Sequence, residues 1–166
     1  MSGRAARFGI LPPLVLSVFS LASCGSPSGP EQAPQMAAPS EPTHQDFGDF
    51  ELHYNAVRTD LLTPEVARAY GIERSANRVL LNVSLLRKAP DGRTTPIDGK
   101  VSASAHNLNG QVKNLQLRRI TEGNSVYFIG EVGISGNEIL VFDINATPAD
   151  EVGAFTVQFK REFFAD

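Results

Sequence analysis

One cysteine, no tryptophan and two methionines stand in a chain of 166 residues. Each scarcity excludes something. A lone cysteine, Cys24, closes no internal disulfide, forms no redox pair and builds no multi-thiolate metal site. Without tryptophan there is no indole to pack against an inter-sheet bridge, as in antibody domains. Histidine is sparse as well: His44, His53 and His106 are scattered and show no His-Glu-x-x-His spacing. Long apolar runs are missing, since Phe8 to Leu21, about 14 residues interrupted by Pro12 and Pro13, falls short of the ~20 that a spanning helix needs. An excess of basic charge is missing too. The net charge is −3, which argues against nucleic acid or a generally anionic surface as the partner.

What the N-terminal region does contain is ordered. Arg4 and Arg7 precede the apolar run, which ends in Leu21-Ala22-Ser23-Cys24-Gly25. Basic residues, an apolar core and small residues in this order predict a signal peptide over residues 1–23. Leu21-Ala22-Ser23-Cys24 resembles the bacterial lipobox. That resemblance implies diacylglycerol on the Cys24 thiol, cleavage before it and acylation of the new amino terminus. Two or three acyl chains, palmitate among them, anchor a protein stably where a single chain holds marginally. The absence of Asp after the cysteine resembles the outer-membrane sorting pattern, so the expected location is the outer membrane, facing the periplasm. Removal of the signal takes away two arginines and no acid, leaving a mature balance of about −5.

Residues 24–45 shift to Pro, Ser, Gly, Ala and Gln, with Pro27, Pro30, Pro34, Pro39 and Pro42. Such a stretch buries too little apolar surface to offset its ordering entropy and reads as a proline-stiffened tether. Residues 46–166 then fit one domain. Its dominant period is two, with turn residues at intervals of eight to twelve positions. That pattern predicts an all-β immunoglobulin-like antiparallel sandwich of about seven strands, with a small β-barrel as the alternative. Phe50, Leu52 and Tyr54 alternate with Glu51, His53 and Asn55. Val79, Leu81, Val83 and Leu85 form one face of a central strand whose other face, with Leu80 and Leu86, is partly apolar. Val101, Ala103 and Ala105 alternate with Ser102, Ser104 and His106, followed by an Asn109-Gly110 turn. Uneven spacing through Val112, Leu115, Leu117 and Ile120 suggests a bulge. Val126, Phe128 and Val132, then Leu140, Phe142, Ile144 and Ala146, then Phe155, Val157 and Phe159, are the inward sets of three later strands.

One short helix interrupts the pattern. Thr63 suits the N-cap, Pro64 the first helical position, Glu65 the N-terminal dipole and Gly71 the stop. With Leu61, Leu62, Val66 and Tyr70 apolar, it is expected to close one open end of the sandwich. The domain resembles a family of small exported bacterial proteins catalogued as a domain of unknown function. The resemblance rests on Phe47-Gly48-Asp49-Phe50-Glu51-Leu52-His53-Tyr54-Asn55, on Leu62-Thr63-Pro64-Glu65-Val66 with Ala69-Tyr70-Gly71-Ile72, on Tyr127-Phe128-Ile129-Gly130-Glu131 and on Arg161-Glu162-Phe163-Phe164. It implies export and the domain's extent, and brings no activity, cofactor or catalytic residue.

No catalytic set emerges from the residues. Ser102 or Ser104 with His106 and Asp143 make a trio on paper without a nucleophile-elbow pattern. The glycines from Gly130 to Gly136 precede no helix and read as a hairpin rather than a phosphate cradle. Asn82-Val83-Ser84 and Asn145-Ala146-Thr147 are glycosylation triplets by chance in a bacterial setting. Lys113, Arg118 and Arg119 read as a solvated strand face. Phe163 and Phe164, on consecutive strand positions, point opposite ways, leaving one exposed. The expected function is therefore a non-enzymatic binding or interaction module on a lipid anchor, meeting an envelope protein or a small ligand and using no cofactor or metal. Glu51, His53, Tyr127 and the loop from Leu61 to Tyr70 are the contact candidates. A small envelope hydrolase or metal-dependent enzyme, and a purely structural envelope protein, are the alternatives.

Overall fold

The computed structural model describes residues 42–165. The expected signal peptide, Cys24 and nearly all of the tether lie outside them. Among the described residues, ten strands form two antiparallel sheets, and neither sheet closes into a barrel. The architecture is a β-sandwich. Sheet one contains β1 (His44–Phe47), β2 (Phe50–Arg58), β3 (Arg78–Lys88), β4 (Thr94–Ile97), β7 (Arg118–Glu122) and β8 (Ser125–Gly133), ordered β1-β2-β3-β8-β7 with β4 also on β3. Sheet two contains β5 (Gly99–Asn107), β6 (Val112–Lys113), β9 (Glu138–Pro148) and β10 (Phe155–Phe163), in the order β10-β9-β5-β6. β1 and β4 go beyond the seven strands read from the periodicity, and the strand read through Val112 to Ile120 is two, β6 and β7. β1 and β4 are short and lack an alternating set long enough to announce them.

The alternation places the core. Leu52, Tyr54 and Ala56 of β2, Val79 to Leu85 at alternate positions of β3, and Phe128 and Val132 of β8 face Leu140, Phe142, Ile144 and Ala146 of β9 and Val157 of β10. Aromatic rings join the sheets at one side, with Phe159 stacked on Tyr54 at 4.7 Å and on Phe142 at 4.9 Å between centroids. Those separations fall in the range where ring pairs add to simple area burial. β3 is the central strand. Its first half pairs with β8 and its second half with β4, while β2 runs along the other side. Phe163 is buried and Phe164 is exposed, as opposite-pointing neighbours require.

Two local expectations are corrected. The uneven spacing through Val112 to Ile120 is not a bulge in one strand. β6 ends in sheet two, and residues 114–117 carry the chain across to β7 in sheet one. Gly130 is not in a hairpin but inside β8, under that crossing. A Cβ there would stand 2.7 Å from the Gln116 carbonyl oxygen and 2.8 Å from Leu117 Cδ2, so the crossing segment lies against bare backbone.

The helix α1 (Pro64–Ala69) follows a single 3₁₀ turn at Thr59–Leu61. Thr63 Oγ1 accepts from the Val66 N–H at 3.3 Å, and Gly71 stops the helix with φ +61°, as its cap residues predicted. Its place differs from the expectation. Ala67 packs with Ile72 on Leu80 and Ile129, which project from the outer face of sheet one, so α1 lies over that face instead of closing an end. The partly apolar back of β3 supplies the physical reason, because Leu80 needs a cover. Among the described residues, no helix is long and apolar enough to cross a membrane.

Candidate functional site

Covering only part of a sheet with a two-turn helix leaves a hollow beside it. A cavity of about 300 Å³ opens between α1 and the outer face of sheet one. Its walls are Leu62, Val66 and Tyr70 from the helical segment, with Val57, Leu80, Ile120, Tyr127 and Ile129 from the sheet. Its amides are Asn55 and Asn82, its phenols Tyr70 and Tyr127, and no charged side chain lines it. Register explains the grouping: Asn55 of β2 pairs with Asn82 of β3, which pairs with Ile129 of β8. Their side chains therefore form one row across the sheet.

The two asparagines differ in what they bind. Asn55 Oδ1 accepts from Arg161 Nη1 at 2.6 Å, and the same nitrogen donates to the Ala56 carbonyl at 2.7 Å. Asn82 Oδ1 is buried with no hydrogen-bond partner, alone in this among the buried side-chain polar atoms of the described residues. Buried polar atoms are almost always paired, so such an atom calls for an explanation. The helix beside it is tied down from outside the cavity. Tyr70 Oη donates to Glu122 Oε2 at 2.6 Å, and Arg118 donates to the Tyr70 carbonyl. The hydrogen bond to the Glu122 carboxylate, reinforced by burial, pushes the Tyr70 phenol above its usual pKa.

Of the contact candidates, Tyr127 and the Leu61 to Tyr70 loop converge on this cavity, the loop through Leu62, Val66 and Tyr70. Glu51 and His53 share the outer face but lie toward β1. There His53 Nε2 is 2.8 Å from Glu51 Oε2, and the His53 ring stacks on His44 at 5.3 Å. Asn82, Asn55, Leu80, Ile120 and Ile129 were not singled out as site residues. The apolar back of β3 is the signal available in the sequence, where Asn82 stands out only as part of a chance glycosylation triplet.

Other polar groupings have structural partners. His106 Nδ1 lies 3.5 Å from Asp143 Oδ2 on the outer face of sheet two, where Asp143 also accepts from Gln158 Nε2 at 2.6 Å. Ser104 pairs with Asp143 in register and is exposed. Lys113 and Arg119 do not form a common basic group. Lys113 Nζ sits 3.0 Å from Glu138 Oε2, while Arg119 grips Asp98 with Nη2 at 2.8 Å from Oδ2. That grip, with the Gly99 N–H, holds the Asp98 carboxyl below the usual carboxylate range. Among the described residues, no three His, Cys, Asp or Glu side chains gather as metal ligands. Further hollows lie along the seam between β2 and β10, about 360 Å³ beside Tyr54 and Phe159 and about 410 Å³ beside Phe163 and Phe164. Neither contains an unpaired buried polar atom.

The sandwich has counterparts of known structure. FetP of uropathogenic Escherichia coli strain F11 is similar in fold. A copper-bound variant matches with a TM-score of 0.51 at 11% identity over 72% of this chain and 93% of that one. The as-isolated protein, expressed recombinantly in the periplasm of E. coli BL21(DE3), matches with 0.50 at 12% identity over 73% and 92%. No curated protein matches the sequence. A crystal structure of a DUF4426 family protein from Pseudomonas aeruginosa PAO1 is 36% identical, with a TM-score of 0.63, and covers 74% of this chain and 94% of that one. Nearly the whole of that crystallised relative is matched, so in the relative this fold stands by itself. The model of that family, a domain of unknown function, matches residues 44–166, and the chain belongs to the DUF4426 family.

Proposed function

We propose that this protein is an exported, lipid-anchored component of the bacterial envelope, and that its sandwich is a non-enzymatic binding module that meets its ligand at the cavity beside α1. The carrying observation is that cavity, a concave, mostly apolar recess with convergent polar groups, which is the usual form of a small-ligand site. The lipobox at Leu21 to Cys24, the proline-rich segment after it and the expression of the similarly folded FetP in the periplasm support the location. A tether of about 20 residues reaches roughly 60 Å at ~3.1 Å per residue if fully extended in polyproline form. The module can then stand clear of the head groups of the outer membrane, facing the periplasm.

The test has two arms. Cys24→Ser is expected to abolish incorporation of labelled palmitate and to leave unprocessed precursor; normal labelling of that variant contradicts the anchor. Val66→Asp puts a charge into the cavity wall and is expected to reduce recovery of the native ligand or partner from crosslinked envelopes. Undiminished recovery, or turnover of a substrate by the purified domain, contradicts the binding role.

A further inference from the structure

We propose that the cavity beside α1 takes a compact, uncharged, largely apolar molecule bearing one N–H or O–H donor, and that this donor is received by Asn82 Oδ1. The inference rests on reading this cavity as the contact site and adds the chemistry of what enters it. Its walls decide most of that chemistry. With no charged residue in the lining, an ionised group entering here would lose hydration and gain no counter-charge. The volume of about 300 Å³ lies at the small end of ligand pockets, which suits one or two fused rings rather than an extended chain.

The donor requirement comes from Asn82. Its neighbour Asn55 is satisfied by Arg161, whereas Asn82 Oδ1 has nothing. A leucine at position 82 would continue the apolar surface of Leu80 and Ile129 without an orphaned acceptor, so the amide is a liability unless something pairs with it. The oxygen is shut off from solvent, so the amide must turn about its broad, soft terminal torsion to present it. The turn breaks no hydrogen bond of Oδ1 and carries Nδ2 inward in exchange. The Tyr70 hydroxyl, committed to Glu122, leaves its ring as an apolar wall.

Indole and 1-methylindole test this directly, because methylation removes the donor and adds apolar surface. Residues 42–166 are titrated with each probe, following the methyl NMR signals of Leu80, Ile120 and Ile129. Indole is expected to bind at least about five-fold more tightly, the order of one net hydrogen bond. In Asn82→Leu, with the fold checked by the same spectrum, the ratio is expected to fall to one or below. Equal or tighter binding of 1-methylindole to the natural protein overturns the donor requirement while leaving the cavity a site. A preference that survives in Asn82→Leu overturns the assignment to Asn82. Binding of neither probe, with the Val66→Asp effect on envelope recovery intact, overturns the small-molecule class and spares the binding role. Loss of both sinks the two readings together.

Discussion

Asn82→Leu should make the domain more stable, which is unusual for a substitution at the middle of a central strand. The buried Oδ1 has no partner, and an unsatisfied buried acceptor costs about 1–3 kcal/mol. Leucine is close to asparagine in shape and adds apolar contact to Leu80 and Ile129, the outer-face residues already covered by α1. Imperfect fit takes back up to about 1.5 kcal/mol. The expected net gain is about 1–2 kcal/mol, or roughly 3–5 °C in Tm for each kcal/mol in a domain of this size. Equilibrium urea unfolding of residues 42–166 measures it, with the midpoint rising and the slope m unchanged. Asn55→Leu is the control, since it removes an acceptor that Arg161 already satisfies at 2.6 Å, and it should not stabilise. A loss of more than about 1 kcal/mol in Asn82→Leu would refute the reasoning, because the amide would then be contributing to the fold itself. Sites kept at a cost to stability are the ones expected to serve binding.

Leu81 is fully buried between the sheets, so Leu81→Ala should cost about 2–5 kcal/mol in the same assay; a loss below about 0.5 would put it outside the core. Gly130→Ala drives a methyl to within 2.7 Å of the Gln116 carbonyl and should cost about 1–3 kcal/mol, with the largest amide shifts at residues 114–117; a neutral effect would mean that the crossing segment is not seated on β8. Glu138 tests the acid side of the stability curve. Burial alone would raise its pKa, but hydrogen bonds from Asn107, Lys113 and the Ser135 N–H together hold it below its usual value. A depressed folded pKa means stability present above the unfolded value and lost as pH falls through the folded one. Unfolding midpoints should therefore drop below about pH 4, and Glu138→Gln, weaker at neutral pH, should show a shallower drop. An equally steep decline in that variant would assign the acid sensitivity elsewhere.

The layers of this fold were readable because period-two alternation in long strands such as β3 and β9 fixes which side chains meet. Short pieces were not. Pairing of β1 with β2 and of β4 with β3 is a tertiary matter, decided by which edges remain open. A chain that crosses between sheets and a strand with a bulge leave the same irregular trace, and from Val112 to Ile120 the crossing over Gly130 sets the spacing. The caps of α1 were legible from Thr63, Pro64 and Gly71, yet its resting place was not, because Leu80 on the back of β3 attracts it from outside the local sequence. Tyr127 was found as an outward aromatic. Nothing in the sequence marks Asn82, because its distinction is an amide oxygen without a hydrogen-bond partner, which no residue pattern records.

If the outer face of sheet one, at the cavity beside α1, is where this protein meets its ligand, capture should be confined to that face. A photo-reactive phenylalanine analogue at position 127, in the cavity wall, and at position 104, on the outer face of sheet two, tests it in the lipidated protein irradiated in native envelopes. A discrete mass-shifted adduct is expected at 127 and none at 104. Equal capture at the two positions, or an adduct at 104 alone, would contradict it.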